Sequence, residues 1–140
     1  MSDGSWLGLD IGTRRIGVAI ARADVRIPTP LTTLENNDET ITKLREVVQE
    51  HSVQKLVVGM PRGMDGQDTQ QTKFTEAFIQ KLQTQLSIPV VWQDEALTSQ
   101  KAESELLGRK RPYAKGDVDA LAATYILEDY INDHVRGSYV

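Results

Sequence analysis

The sequence has no cysteine and only two histidines, His51 and His134. It can therefore form neither a disulfide framework nor a thiolate metal site, and two imidazoles argue against a histidine-based zinc site. No apolar run approaches the roughly 20 residues that a membrane span requires. The opening residues, MSDGS, lack the features of a signal peptide. These absences predict a cytoplasmic protein with no membrane partner.

The composition that remains is ordinary for a soluble globular protein. The 140 residues are 39% hydrophobic and 26% charged, which predicts one domain over residues 1–140. The formal charge of -4 argues against indiscriminate binding to nucleic acid, although a local basic cluster can still bind phosphate. The sequence has two basic clusters, Arg14 with Arg15, and Arg109, Lys110, Arg111 and Lys115. A solvated loop is the simpler interpretation of such a run.

Hydrophobic periodicity in the first third of the chain predicts a β-meander followed by a helix. Residues 5–11 and 15–22 read as two antiparallel strands joined by a tight turn. IPTPLTTL is a third strand, which Pro28 and Pro30 place at a sheet edge. Residues 36–51 then predict a helix with Asn37 or Asp38 as its cap.

Strands and helices alternate in the rest of the chain. KLVVGM, which ends at Pro61, and IPVVWQDE read as buried strands, the latter covered on both faces. Helices are predicted over residues 73–86, 98–108 and about 117–134. The sequence therefore predicts an α/β fold, a mixed five-stranded sheet with helices on both faces.

Three acidic positions fit this scheme poorly as purely structural residues. Asp10 ends the first strand, the pair Asp94–Glu95 ends the last strand, and Asp119 lies in the first turn of the last helix. Each has a simple alternative role, as a turn acceptor, a helix cap or a partner of the helix dipole. In a mixed sheet, however, the first and last strands can lie side by side, and ligands bind at their carboxyl ends. Converging carboxylates would favour Mg²⁺ or Mn²⁺, which prefer oxygen ligands.

Four segments together resemble a known family. LGLDIGTRRIGVAIA, VVGMPRGMDG, VVWQDEALTS and KGDVDALAATYIL are similar, in order and spacing, to the successive motifs of the YqgF/RuvX family of bacterial proteins. The resemblance covers about residues 6–130. It implies an RNase H-like fold related to the Holliday-junction resolvase RuvC. It also implies a nuclease that processes the 5′ end of precursor 16S rRNA in ribosome biogenesis.

By this resemblance the acidic triad of the family falls on Asp10, Glu95 and Asp119. Strand parity separates Glu95 from Asp94, so we expect only Glu95 to face the site. Ala96 stands where the family usually has arginine. The substrate or structural contact of that arginine is therefore not assigned to this chain, whereas the metal site is unaffected. Gly63 stands where the family often has asparagine, so the 61–72 loop is given no fixed catalytic role.

The resemblance implies two-metal chemistry at the triad. Two Mg²⁺ or Mn²⁺ ions about 4 Å apart would activate a water for in-line attack and stabilise the departing 3′ oxygen. Asp10 would bridge the ions, with Glu95 and Asp119 on either side. The basic residues would neutralise backbone phosphates without reading sequence; they are Arg14, Arg15, Arg62, Arg109, Lys110, Arg111 and Lys115.

Other functions stay open at this point. The substrate could be branched DNA, as for a Holliday-junction resolvase in recombination, instead of precursor rRNA free or on the ribosome. DIGTRRIG also resembles the first phosphate motif of actin-like ATPases, although 140 residues supply only one of their two lobes. A non-catalytic nucleic-acid-binding module is the third reading, which the three acids argue against. A monomer or a weak homodimer is expected.

Overall fold

The computed structural model describes residues 4–61, 68–95 and 115–136. The elements follow the predicted order, β1 (Ser5–Ile11), β2 (Arg15–Arg22), β3 (Thr29–Glu35), α1 (Thr40–Glu50), β4 (Val53–Pro61), α2 (Gln70–Gln85), β5 (Val90–Glu95) and α3 (Lys115–Ile131), with a π-helical turn over Asn132–Arg136. The helix predicted over residues 98–108 lies outside the described residues.

The five strands form one mixed sheet in the order β3-β2-β1-β4-β5. β1 and β2 pair antiparallel, as do β2 and β3, whereas β4 is parallel to both β1 and β5. β3 lies at an edge, as its prolines predicted. The expectation that the first and last strands are neighbours is wrong, because β4 pairs with β1 on one side and with β5 on the other.

Two details of the predicted elements are also corrected. Glu39 precedes α1 as its cap residue without a side-chain cap bond, whereas Asn37 Oδ1 accepts a hydrogen bond from the Glu39 amide (2.9 Å) in the turn before the helix. β5 is more exposed on one face than predicted, since its Trp92 is 54% exposed, whereas Val91 on the other face packs against the α3 side of the core.

Strand alternation divides the core between two faces of the sheet. On one face, side chains such as Leu7, Leu9 and Val58 pack against α1 and α2. On the other face, small residues such as Ala19 and Ala21 pack against α3. Helices therefore cover both faces, as predicted. No helix in the described parts of the chain is long and apolar enough to cross a membrane.

Candidate active site

Strand parity directs Asp10 to the face that α3 covers. Leu9 and Ile11, its neighbours in β1, are buried on the opposite face with α1 and α2, so the alternating side chain of Asp10 points toward α3. Asp10 lies beside Gly17 of β2 in the register of the sheet. Its side chain is half-buried at the carboxyl end of β1.

Asp119 reaches the same place because α3 lies very close to β2. A Cβ atom built on Gly17 would be 1.8 Å from the Asp119 carbonyl oxygen, so only glycine allows this approach. This helix is buried on all sides beyond Asp119, because every residue from 120 to 127 is buried. The helix begins at Lys115, so Asp119 lies in its second turn. The prediction that Asp119 lies in the first turn is wrong.

The ionised form of Asp10 is unfavourable at this position. Burial raises the pKa of Asp10 to about 6, and the charge of Asp119 adds to the increase. Asp119 has a counter-ion, since Arg15 Nε donates a hydrogen bond to Asp119 Oδ2 at 2.7 Å. The structure shows Arg15 beside the carboxylate of Asp119, whereas the ionised carboxylate of Asp10 is disfavoured by burial and by Asp119. A bound cation would stabilise the ionised form of Asp10.

Glu95 is on the same sheet face, but farther away. It alternates with Asp94 and follows Gln93, whose Nε2 donates to Asp133 Oδ2 (2.6 Å) beyond the end of α3. β4 lies between β1 and β5, which places Glu95 two strands from Asp10. Within residues 4–61, 68–95 and 115–136, no three histidine or carboxylate side chains are grouped closely enough to hold a metal ion.

The turn after Asp10 is held from two sides. The Gly12 amide donates to the Arg15 carbonyl (2.9 Å), and Asn36 Nδ2 donates to the Gly12 carbonyl (2.8 Å). From α2, Gln71 Nε2 donates to the Ile11 carbonyl (2.9 Å). Sequence reasoning missed both side chains, because a lone polar residue gives no signal for a partner 24 or 60 positions away.

The predicted basic residues differ in what they do. Arg14 is exposed in the β1–β2 turn, whereas Arg15 is half-buried against Asp119. An open groove runs beside this turn, and its lining residues are Thr13, Arg14, Arg15, Glu35, Asn36 and Asn37. The other predicted contacts, Arg62, Arg109, Lys110, Arg111 and the side chain of Lys115, lie outside what the structure describes.

The residues present fit a hard divalent cation at Asp10 and Asp119. Both donors are carboxylates, the ligand type that Mg²⁺ and Mn²⁺ prefer. The pKa of Asp10 is raised first by burial and then by the charge of Asp119, so its ionised form is unfavourable in the metal-free site. A cation would therefore relieve both the burial of Asp10 and its repulsion by Asp119.

Comparisons of the sequence identify its relatives. A family model described as "RuvX: Holliday junction resolvase" matches residues 4–133. A protein of Chloroflexus aurantiacus is 43% identical over 136 residues, which cover 94% of this chain and 89% of that protein. A protein of Crocosphaera subtropica is 42% identical over 140 residues, which cover 97% of each chain. Both carry the name "Putative pre-16S rRNA nuclease".

Comparison of the structure identifies the fold. The chain is similar to RuvC of T. thermophilus in complex with a Holliday junction substrate, with a TM-score of 0.58 and 14% identity over 94% of this chain and 96% of that one. It is also similar to the Fowlpox virus resolvase in complex with Holliday junction DNA, with a TM-score of 0.54 and 10% identity over 94% and 99% of the two chains. These likenesses confirm the predicted RNase H-like fold of the RuvC type.

Proposed function

The chain belongs to the RuvX family and is a nuclease, and from this premise we propose that it is a metal-dependent endonuclease that processes the 5′ end of precursor 16S rRNA. The substrate is the one in the names of its relatives. We propose further that residues 1–140 act as one nuclease domain, on free or ribosome-bound RNA. We propose that it acts in the cytoplasm.

The observation that carries this proposal is the meeting of Asp10 and Asp119 at the carboxyl end of β1. Two carboxylates on different elements approach there in a half-buried position, with a raised pKa at Asp10. A binding module for phosphate would gain nothing from such a pair, because it would repel the anion. A divalent cation bound by the same pair would instead attract the phosphate.

Each residue then has a defined task. Asp10 and Asp119 would hold Mg²⁺ or Mn²⁺. Glu95, which lies two strands from Asp10 on the same sheet face, keeps its predicted role as a third ligand. The bound metal would supply activation of a water and charge stabilisation at the phosphorus and the leaving oxygen. Arg14, exposed in the β1–β2 turn that follows Asp10, binds a backbone phosphate of the substrate and sets its register without reading sequence. Asn36 and Gln71 keep the turn that carries Arg14 in place.

The proposal is tested with the wild-type chain against three substrates. These are a structured RNA with a 5′ extension, a four-way DNA junction and single-stranded DNA, each with Mg²⁺, with Mn²⁺ and with EDTA. We expect cleavage of the RNA near its extension in either metal and none in EDTA. Preferred cleavage of the junction would support the resolvase alternative instead. Absence of any cleavage, together with binding of Mg²⁺-ATP, would place the site in the actin-like class.

A pair of adjacent variants tests the assignment of Glu95. Glu95 and Asp94 alternate on β5, and the exposed Asp94 lies on the opposite face. Glu95→Gln is expected to slow cleavage by about tenfold or more, since it removes a ligand of the metal. Asp94→Asn removes the same charge one residue away and should leave the rate within about twofold. Equal losses in both variants, measured as initial rates, would contradict the assignment.

A further inference from the structure

Arg15 forms an ion pair that differs from the other pairs among the described residues, because its partner is distant in sequence. Of the three ion pairs among the described residues, those of Arg22 with Asp24 and Lys43 with Glu39 join residues close in sequence. Arg15 and Asp119 are 104 positions apart, on β2 and α3. Their side chains are 37% and 21% exposed, so the pair is partly shielded from water. It is therefore a tertiary contact at the site itself.

The geometry leaves Asp119 with two competing uses. The Asp119 Oδ2 atom that accepts from Arg15 Nε at 2.7 Å belongs to the carboxylate that would ligate the cation. Arg15 shares the sheet face of Gly17, two positions along β2, and Gly17 lies beside Asp10. The guanidinium thus stands where it supplies positive charge to the carboxylate pair in the absence of metal.

We propose that Arg15 is a built-in counter-ion that a divalent cation displaces from Asp119, which frees its guanidinium to bind the substrate phosphate. This inference rests on the proposed metal-dependent function and adds a competition within it. Arg15 is then a positioning residue before metal binds. After metal binds, it is a phosphate contact beside Arg14. The metal-free site stays compact, and the phosphate contact forms only when the site is loaded.

Metal affinity distinguishes competition from support. If Arg15 competes with the cation, Arg15→Gln should lower the Kd for Mn²⁺, measured by calorimetry, by about two- to fivefold, which is the upper part of the range expected for a partly exposed ion pair. A residue that only held Asp119 in place would weaken Mn²⁺ binding when removed. Arg14→Gln is the matched control, because it removes the same charge from an exposed neighbour; its Kd should change by less than about twofold.

A second measurement follows the guanidinium directly. In the metal-free wild type, the NMR signal of the Arg15 Nε–H, identified by its absence in Arg15→Gln, should exchange slowly with water. Saturating Mg²⁺ should move this signal to the region of exposed arginines and speed its exchange. Arg15→Lys keeps the positive charge beside Asp119, so its Kd should lie within about twofold of the wild type.

The outcomes separate the inference from the proposed function. A wild type that binds Mn²⁺ while Arg15→Gln binds it equally or more weakly would overturn the inference alone. The same holds if the Arg15 signal is unchanged at saturating Mg²⁺. A wild type that binds neither Mn²⁺ nor Mg²⁺ overturns the metal-dependent function, and the inference with it.

Discussion

Asp10→Asn is expected to unfold less readily than the wild type and to lose nuclease activity. Burial and Asp119 raise the pKa of Asp10 from 3.8 to about 6. The folded state therefore disfavours the ionised carboxylate, by roughly 3 kcal/mol at 1.36 kcal/mol per pKa unit. Asparagine removes that charge, so the free energy of unfolding in EDTA at pH 7.5 should rise by about 2–3 kcal/mol.

The pH dependence has a definite sign. At pH 3.5, below the unfolded-state pKa of 3.8, the carboxyl is mostly protonated in both the folded and the unfolded states, and the variant should have little advantage. Between about pH 4 and 6 the unfolded state releases the proton first, so the wild type loses stability as the pH rises. Urea titrations at pH 3.5, 5 and 7.5 measure this difference. A variant that is less stable than the wild type at pH 7.5 would contradict it.

The same variant should be a nearly inactive nuclease. Loss of the central carboxylate removes several kcal/mol of transition-state stabilisation, which corresponds to a rate on the order of 10³-fold lower. Asp119→Asn is the control that separates the two effects. It should lose activity as well, but without a gain in stability, because it leaves Arg15 without its carboxylate partner.

Gly17→Ala is expected to damage both the fold and the site through a single methyl group. The new Cβ would lie 1.8 Å from the Asp119 carbonyl oxygen and 2.9 Å from the Ala120 amide nitrogen. Both are backbone atoms, so α3 itself must move. We expect a loss of about 2–4 kcal/mol in the free energy of unfolding, the upper part of the range for overpacking. A displacement of Asp119 by about 1 Å should lower the cleavage rate by roughly 10²-fold.

Gly8→Ala provides a graded comparison under the same helix. Its Cβ would meet the Ala123 carbonyl oxygen at 2.7 Å and Leu127 Cβ at 2.8 Å, so a smaller shift relieves it. Both variants should destabilise the protein, but Gly17→Ala should lose more activity per folded molecule. Urea titration and initial rates measure the two effects. Equal activity losses would show that the position of Asp119 is not what the glycine protects.

Much of the fold could be read from the sequence because local patterns determine it. The apolar runs LGLDI and RIGVAIA, separated by a short turn, predicted β1 and β2, and the prolines in IPTPL correctly placed β3 at an edge. The cap of α1 was missed because Asn37 satisfies the backbone of the preceding turn instead of the helix. The burial of β5 was overestimated because an apolar run predicts that a strand is buried but cannot show which of its side chains stays exposed. Trp92 is the exposed one.

The site was only partly readable for a different reason. The sequence by itself determined that Asp94 and Glu95 point to opposite faces of the sheet, because side chains alternate along a strand. It also determined that Asp119 lies on the last helix, because helical periodicity is local. Which strand separates β1 from β5, and how near α3 approaches Gly17, depend on pairings between distant segments.

Tertiary structure therefore decided the electrostatics of the site. It placed β4 between the strands that carry Asp10 and Glu95, and it brought Asp119 close to Asp10. It also paired Asp119 with Arg15 in an ion pair. The sequence shows Arg14 and Arg15 as equivalent neighbours. Only the packing of α3 on β2 makes one of them an exposed cation and the other a counter-ion, because Coulomb energy and burial depend on distance in space and not along the chain.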